Sequence, residues 1–314
     1  MNASADVLAS AADLDVIVIG GGPAGLTAAL YLGRSRRRTL LIDAGEPRNA
    51  PASSAHGVFS RDGAAPADLA AEARRQLKRY PTVAMWNLKA ETVEKEPPGF
   101  VVRTQDGRQA RSRRLLFATG IRDELPDIDG LAERWGRGVL HCVYCHGYEV
   151  ADQPVALIAS PDVAMRAAAS VFQLSKDLVL CTNGAPMPDE DAAQLVHRGI
   201  RIIEETVSQV SGQAPHLRIL FKDGSEVSRA AIFVRTILKD ASDLPARLGC
   251  ELDAPHGLVV DAGWQTSVRG AYAAGDIAAP KDQVIVAAAS GAQAAIAINN
   301  DLVQADWLAV RASQ

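Results

Sequence analysis

Between Leu14 and Asn49 the chain reads LDVIVIGGGPAGLTAALYLGRSRRRTLLIDAGEPRN, the strand, turn, helix, strand order of a βαβ unit within about thirty residues. Val16 to Ile19 are consecutively apolar, as a parallel strand buried on both faces must be. Gly20, Gly22 and Gly25 then fill the three positions of GxGxxG. The first permits the tight turn, the second lets a pyrophosphate approach bare backbone, and the third lets helix and strand pack closely. Pro23 and Ala24 open the helix, whose free N–H groups and positive dipole end favour phosphate. The second strand, TLLID, ends in Asp43, where an acid accepts the ribose hydroxyls of an adenosine, and Ala44 and Gly45 follow it. A lone GxGxxG says little; flanking strands and a terminal acid make it a dinucleotide site.

A second unit of the same kind reads QPVALIASPDVAMRAAASVFQLSKDLVLCTNG. Val155 to Ile158 form its first strand, a helix runs from about Pro161 to Leu174, and Leu178 to Cys181 form the next strand. The chain of 314 residues, 48% hydrophobic and 22% charged, is long enough for two cores. A net charge of -4 leaves no basic footprint for nucleic acid, and GRSRRR at Gly33 to Arg38 reads as a solvated helix end. The opening MNASADVLASAAD has neither the basic nor the apolar region of a secretory signal and reads as a loose extension, and no apolar run is long enough to span a bilayer. A cytoplasmic protein without membrane contact is expected. Residues 64 to 80 read as an amphipathic surface helix, and residues 91 to 120 as a β-meander with Pro-Gly and Asp-Gly turns.

Just before the second unit stands HCVYCHGYE, residues 141 to 149. Cys142, Cys145 and His146 together read as a redox pair, half a zinc site or a haem-attachment CxxCH. Haem attachment requires export. Zinc requires four ligands, and beside the two thiols only His141 or His146 is local, so no metal is assigned. A structural disulfide is unusual in a reducing compartment. Cys181 and Cys250 read as packing residues. A two-residue spacer places both sulfurs at a helix start, where dipole and N–H groups lower a thiol pKa by about a unit or more from about 8.5.

Near the C-terminus, TSVRGAYAAGDIA is followed by the Ala-rich QVIVAAASGAQAAIAIN, and LLFATG spans Leu115 to Gly120. These segments resemble the disulfide-reductase flavoproteins, and nearly the whole chain resembles the low-molecular-weight thioredoxin reductases. The resemblance implies FAD, with Gly275 and Asp276 on its ribityl and phosphate side, Gln283 and Val284 at a helix start facing the flavin, and Ala118, Thr119 and Gly120 at the turn before a domain crossing. It implies an α/β fold of two Rossmann-like nucleotide-binding domains. Residues 1–123 and 244–314 would form a three-layer FAD domain, and residues 124–243 an inserted NAD(P)-type domain carrying the CxxC. It implies a homodimer, in which Cys145 exchanges electrons with the flavin and Cys142 with substrate. The redox reading of HCVYCHGYE follows from this position.

Three departures from the thioredoxin reductases matter. Where their second domain has GxGxxA, this chain has Ala159, Pro161 and Ala164; proline offers no N–H and its ring fills space a pyrophosphate needs. Ser160 and Pro161 still make a good helix start. Where they have an Arg-rich segment for the 2'-phosphate, this chain has CTNGAPMPDED, so normal NAD(P)H use is not expected. His146 replaces their acid, and an imidazole with a pKa near 6.5 can move thiol protons at neutral pH. The wording CxxCHGYE, and EPRNAPASSAHGVFSRDG at Glu46 to Gly63, resemble the branch containing the gliotoxin and holomycin dithiol oxidases, with Asn49 and His56 near the flavin. The implied substrate is a small dithiol or disulfide, or a thioredoxin-like protein, with oxygen, ferredoxin or a second flavin as electron partner. An NADPH-dependent thioredoxin reductase and a non-catalytic flavin-binding module are the alternatives.

Overall fold

The computed structural model describes residues 14–253, 257–278 and 283–312, so the N-terminal extension lies outside the described residues. The chain divides into two compact units, one of residues 1–50, 66–122 and 238–314, the other of residues 51–65 and 123–237. The segment Pro51–Ala65 thus clusters with the inserted unit and not with its neighbours in sequence.

The first leg contains β1 (Leu14–Ile19), α1 (Pro23–Arg34), β2 (Thr39–Ile42), α2 (Pro66–Leu77), β3 (Val83–Trp86), β4 (Ala90–Glu96), β5 (Gly99–Thr104), β6 (Gln109–Phe117) and β7 (Ile121–Glu124). The inserted unit follows with β8 (Val139–Leu140), α3 (Val143–His146), β9 (Val155–Ile158), α4 (Pro161–Phe172), β10 (Leu178–Cys181), α5 (Asp189–His197) and β11 (Arg201–Ile203). It ends with β12 (Val207–Gln213), β13 (His216–Phe221), β14 (Glu226–Arg229) and β15 (Ala231–Val234). The chain returns through β16 (Ile237–Asp240), which pairs with β7, and closes with β17 (Ala271–Ala273) and α6 (Val284–Ala312).

In the first unit the order β3-β2-β1-β6 is parallel throughout. The antiparallel meander β4–β5 joins the first half of β6, and β17 joins its second half in parallel. Both faces are buried, so alternate residues feed two cores: Ile17, Ile19, Leu115 and Phe117 point one way, Val16, Val18 and Leu116 the other. The second core is closed by α1 and α6, which approach so tightly that a Cβ on Gly291 would stand 2.1 Å from the Ala24 carbonyl oxygen. Ion pairs hold the far end of α6: Asp306 takes Arg37 at 2.8 Å and Arg113 at 2.5 Å, and Asp301 takes Arg114. Asp301 also accepts the Tyr272 hydroxyl at 2.8 Å, and burial together with that carboxylate pushes the phenol up to about 12.

The second unit repeats the logic with a parallel sheet β11-β10-β9-β15-β8 and a separate antiparallel meander β12–β14. Val155, Leu157 and Phe233 face one core, Ala156, Ile158 and Val234 the other. The amphipathic helix expected near residues 64–80 is α2, with only Pro66 and Leu77 buried. The expected α/β architecture of two Rossmann-type folds is borne out.

Candidate active site

The glycine turn after β1 is built by three different constraints. Gly20 has φ +107°, and a Cβ there would lie 2.2 Å from the Ala118 carbonyl oxygen. A Cβ on Gly25 would lie 1.9 Å from the Gly20 carbonyl oxygen, so this position is bare to let α1 cross the strand. Gly22 differs: its φ of −74° suits any residue, and a Cβ would meet nothing within 4 Å. Space for another molecule, and not backbone conformation, distinguishes it. Gly22 is the N-cap of α1 and supplies no side-chain cap, and Leu26 makes its N–H bond to the Gly22 carbonyl. The N–H groups ahead of Leu26 have no intrahelical partner.

At the end of β2, Asp43 accepts the N–H groups of Gly21 at 3.1 Å and Gly45 at 3.2 Å, and pairs with Arg74 at 2.6 Å. The Thr119 hydroxyl is buried without a hydrogen-bond partner. Gly275 donates to Ser290 Oγ at 2.8 Å, and Asp276 pairs with Arg48 at 3.4 Å. Bare backbone at Gly22, an unpartnered buried hydroxyl at Thr119 and an oriented acid at Asp43 fit the diphosphate and adenosine of FAD. Arg48, Arg74 and Ser290 escape sequence reasoning: an Arg on an amphipathic helix carries no signal that it faces an acid on a distant strand. Asn49 follows Arg48 in a turn of the same unit, whereas His56 belongs to the other unit.

In that other unit Cys142 and Cys145 form a disulfide with Cα atoms 5.3 Å apart. Cys142 is the N-cap of α3, and its sulfur accepts the Cys145 N–H at 3.1 Å. The helix is one turn long, so the expected dipole contribution is small, and the Cys145 N–H is placed to stabilise a Cys142 thiolate. Cys142 is 8% exposed, and Cys145 is the more accessible residue of the pair. Both ring nitrogens of His146 are buried without a partner. Burial lowers its pKa from 6.5, His56 adds to the lowering, and the Glu149 carboxylate opposes it. The imidazole is therefore neutral at neutral pH, the form that accepts a proton. Tyr144 and Tyr148 beside it are 79% and 86% exposed. His141 stacks on Trp135 at 5.5 Å, and among the described residues no three His, Cys, Asp or Glu side chains gather to hold a metal.

The Pro51–Ala65 segment is pinned by an antiparallel bridge between Ala55 and Ala64 and by the Gly57 N–H donating to Asp62 at 2.8 Å. It sets His56 Nε2 3.3 Å from Glu149 Oε1 and His56 Nδ1 3.5 Å from Asp62 Oδ1. Glu149 stands in the quoted motif, yet nothing in its spacing signals that a His from ninety residues upstream meets it.

The turn after β9 is the counterpart of the glycine turn, and it is filled. Ala159 and Ala164 are buried, Ser160 is the N-cap of α4, and Pro161 is its first residue. Asp162 adds a negative charge to the first turn. After β10, the Asn183 side chain accepts the Val207 N–H at 2.9 Å and Glu204 accepts the Met187 N–H at 2.7 Å. α5 then opens on Asp189, Glu190 and Asp191, so acids and not arginines follow the second strand.

A diphosphate cradle in one Rossmann-type unit and a CxxC disulfide beside the first parallel strands of another define an FAD-dependent disulfide oxidoreductase. Residues 14–295 match the family described as pyridine nucleotide-disulphide oxidoreductase, and the chain belongs to that family. It is similar to "Thioredoxin reductase sirT" of Leptosphaeria maculans, 31% identical over 94% of this chain and 96% of the relative. It is likewise similar to "Thioredoxin reductase tcpT" of Claviceps purpurea, 32% identical over 88% and 91% of the two chains. The crystal structure of HlmI superposes with a TM-score of 0.91 at 40% identity, covering 96% of each chain. The resemblance to thioredoxin reductase-like flavoproteins of the CxxCHGYE branch is thereby borne out. The family implies FAD and a dithiol, disulfide or thioredoxin-like substrate. No helix of the described residues is long and apolar enough to cross a membrane.

Proposed function

We propose that this protein oxidises a dithiol through Cys142–Cys145 and FAD without normal use of NAD(P)H. The observation that carries the reading is the contrast between the two nucleotide turns. Gly22 leaves open space over a helix N-terminus, whereas Ala159 and Pro161 occupy the equivalent turn and the helix after the next strand opens on Asp189, Glu190 and Asp191.

A substrate thiolate attacks Cys142 Sγ and breaks its bond to Cys145. The second substrate thiolate then attacks the substrate sulfur of the mixed disulfide and releases Cys142. The substrate loses two electrons and two protons, the cysteine pair gains the electrons, and His146 carries the protons from the incoming thiols to the departing thiolates. Two features of the chain assist: the Cys145 N–H stabilises the Cys142 thiolate, and burial keeps His146 an acceptor. Gly20, Gly22, Gly25, Asp43, Thr119 and the Gly275-Asp276 turn would hold FAD, which would supply the two-electron acceptor. Oxygen would reoxidise the flavin in this direction; reduction of the protein by ferredoxin or a second flavin is the other reading.

The domain boundaries at residues 123 and 244 and a homodimer belong to the same proposal. Support for the homodimer comes from α6, whose solvent face presents Ile285, Ala289, Ile296, Val303 and Trp307, an apolar stripe at helical spacing over ~33 Å. The test is an anaerobic titration of the yellow protein, first with NADPH and NADH, then with a dithiol. Bleaching by dithiol alone, reversed by air, is the expected result; rapid full bleaching by NADPH would sink the proposal.

A further inference from the structure

Arg34 and Arg37 stand three residues apart at the end of α1 and meet different neighbours. Arg37 pairs with Asp306 at 2.8 Å, whereas Arg34 meets no carboxylate among the described residues and donates to the Tyr80 hydroxyl at 3.4 Å. Just past the end of α2, the exposed Arg79 likewise has no acid partner among the described residues. Glu72, one turn back on α2, is occupied by Arg75 at 2.6 Å and by the Gln76 amide at 2.8 Å. Two guanidinium groups are thus left uncompensated in a chain whose net charge is -4.

Both line one open groove of about 540 Å³, together with Leu30, Tyr31, Gln76 and Tyr80. That volume lies within the ~300–1,000 Å³ of small-molecule sites. The fold fixes its shape where α1 rests on Tyr80. A Cβ on Gly33 would stand 3.0 Å from Tyr80 Cβ and 2.7 Å from Val83 Cγ2. The Tyr80 N–H donates to the Leu77 carbonyl and the Tyr80 carbonyl accepts the Val83 N–H, each at 3.0 Å. The rest of the lining is apolar, aromatic or a neutral amide, so nothing in the groove repels an anion.

We propose that this groove between the C-terminal ends of α1 and α2 binds a small phosphate monoester carrying a flat ring, as a mononucleotide does. Each guanidinium presents a planar fork of donors that takes phosphate oxygens in pairs, and two such forks suit a dianion. Tyr31 and Tyr80 supply ring faces for the flat part of the ligand, and their hydroxyls supply polar contacts at its edge. α1 is twelve residues long, so the groove lies about 18 Å along the helix from the Gly22 turn and is separate from the dinucleotide cradle. No bond is made or broken in it.

The experiment is calorimetric titration of the purified holoprotein, with FAD in excess, by AMP, by adenosine and by inorganic phosphate. Saturable binding of AMP, tighter than phosphate and absent for adenosine, is the expected result. Arg34→Gln and Arg79→Gln should each weaken AMP about three- to tenfold, the low end for a charged hydrogen bond because both groups are exposed. Tyr31→Ala should weaken it about two- to tenfold through the lost ring face. Arg36→Gln removes a neighbouring cation that does not line the groove, and should leave AMP binding unchanged. Since Arg34 and Arg79 pair with no acid, both Gln variants should keep wild-type melting curves and wild-type bleaching by dithiothreitol. If Arg34→Gln fails to fold without its bond to Tyr80, Arg34→Lys, which keeps the charge but not the fork, is read in its place. Ring-dependent AMP binding that weakens with the loss of Arg34 and of Arg79, but not of Arg36, supports the proposal. No saturable AMP binding, equal affinity for AMP and inorganic phosphate, or wild-type affinity in either lining Arg variant overturns it.

Discussion

Gly22 and Gly25 stand three residues apart in one turn, yet the structure assigns them different work, and Ala at each position separates the two. At Gly25 a Cβ would sit 1.9 Å from the Gly20 carbonyl oxygen, a backbone atom with no rotamer to retreat into. Helix and strand must part by more than an ångström, an overpacking cost of about 1–3 kcal/mol or more. At about 2–4 °C per kcal/mol for a domain of this size, the apoprotein should melt about 6 °C lower or worse. At Gly22 the φ of −74° is open to Ala and the new Cβ meets nothing. The only folding penalty is a poorer N-cap, about 1 kcal/mol or less. Flavin affinity should suffer instead, because the methyl would enter the open space over Gly22 that the proposed cradle reserves for a diphosphate. Losing one hydrogen bond to a charged group, about 1.5–3 kcal/mol, weakens Kd roughly 10- to 150-fold. Apoprotein melting curves and quenching of FAD fluorescence on titration read the two effects separately. Wild-type flavin affinity in Gly22→Ala would refute the cradle, and wild-type melting in Gly25→Ala would refute the packing argument.

Three further outcomes are expected. Burial holds the His146 pKa below its ordinary 6.5, so the stability tied to the neutral imidazole is complete above pH 6.5 and is lost as pH falls through 6.5 toward the folded value. Urea midpoints of the wild type should therefore fall faster on acidification than those of His146→Gln, by at most about 1.4 kcal/mol per pH unit; parallel curves would contradict the burial. Ala159→Gly with Pro161→Gly reopens the second turn and should yield slow bleaching by NADH, with NADPH lagging because Asp189, Glu190 and Asp191 remain; no gain with either would show that the turn is not the barrier. Trp307→Glu with Ile296→Glu places charge on the apolar stripe of α6 and should shift the species seen by light scattering from dimer to monomer, leaving the melting curve of the folded chain intact; an unchanged mass would remove α6 from the interface.

Much of the site was legible because its constraints are local. A turn that lacks side chains, a proline that cannot donate, and two cysteines at one helical turn are each decided by a few neighbouring atoms. The alternation of Ile17 and Ile19 against Val16 and Val18 likewise follows from strand geometry, and the two-unit fold follows from two such βαβ patterns. The helix start expected at the cysteine pair is present with Cys142 as its N-cap, but α3 is a single turn, so its dipole contributes little.

What could not be read were the pairings between distant segments. Asp43 is held by Arg74 from a helix that follows a long loop, and Asp276 by Arg48 from the opposite end of the chain. The segment carrying His56 clusters with the inserted unit, where it meets Glu149. An ionic contact has no periodicity and tolerates many sequence separations, so nothing in the spacing of His56 and Glu149 announces it. Residue types alone settle that this chain can cradle a diphosphate and cycle a disulfide. Which carboxylate His56 meets is decided only when the backbone brings residues 56 and 149 to the same place.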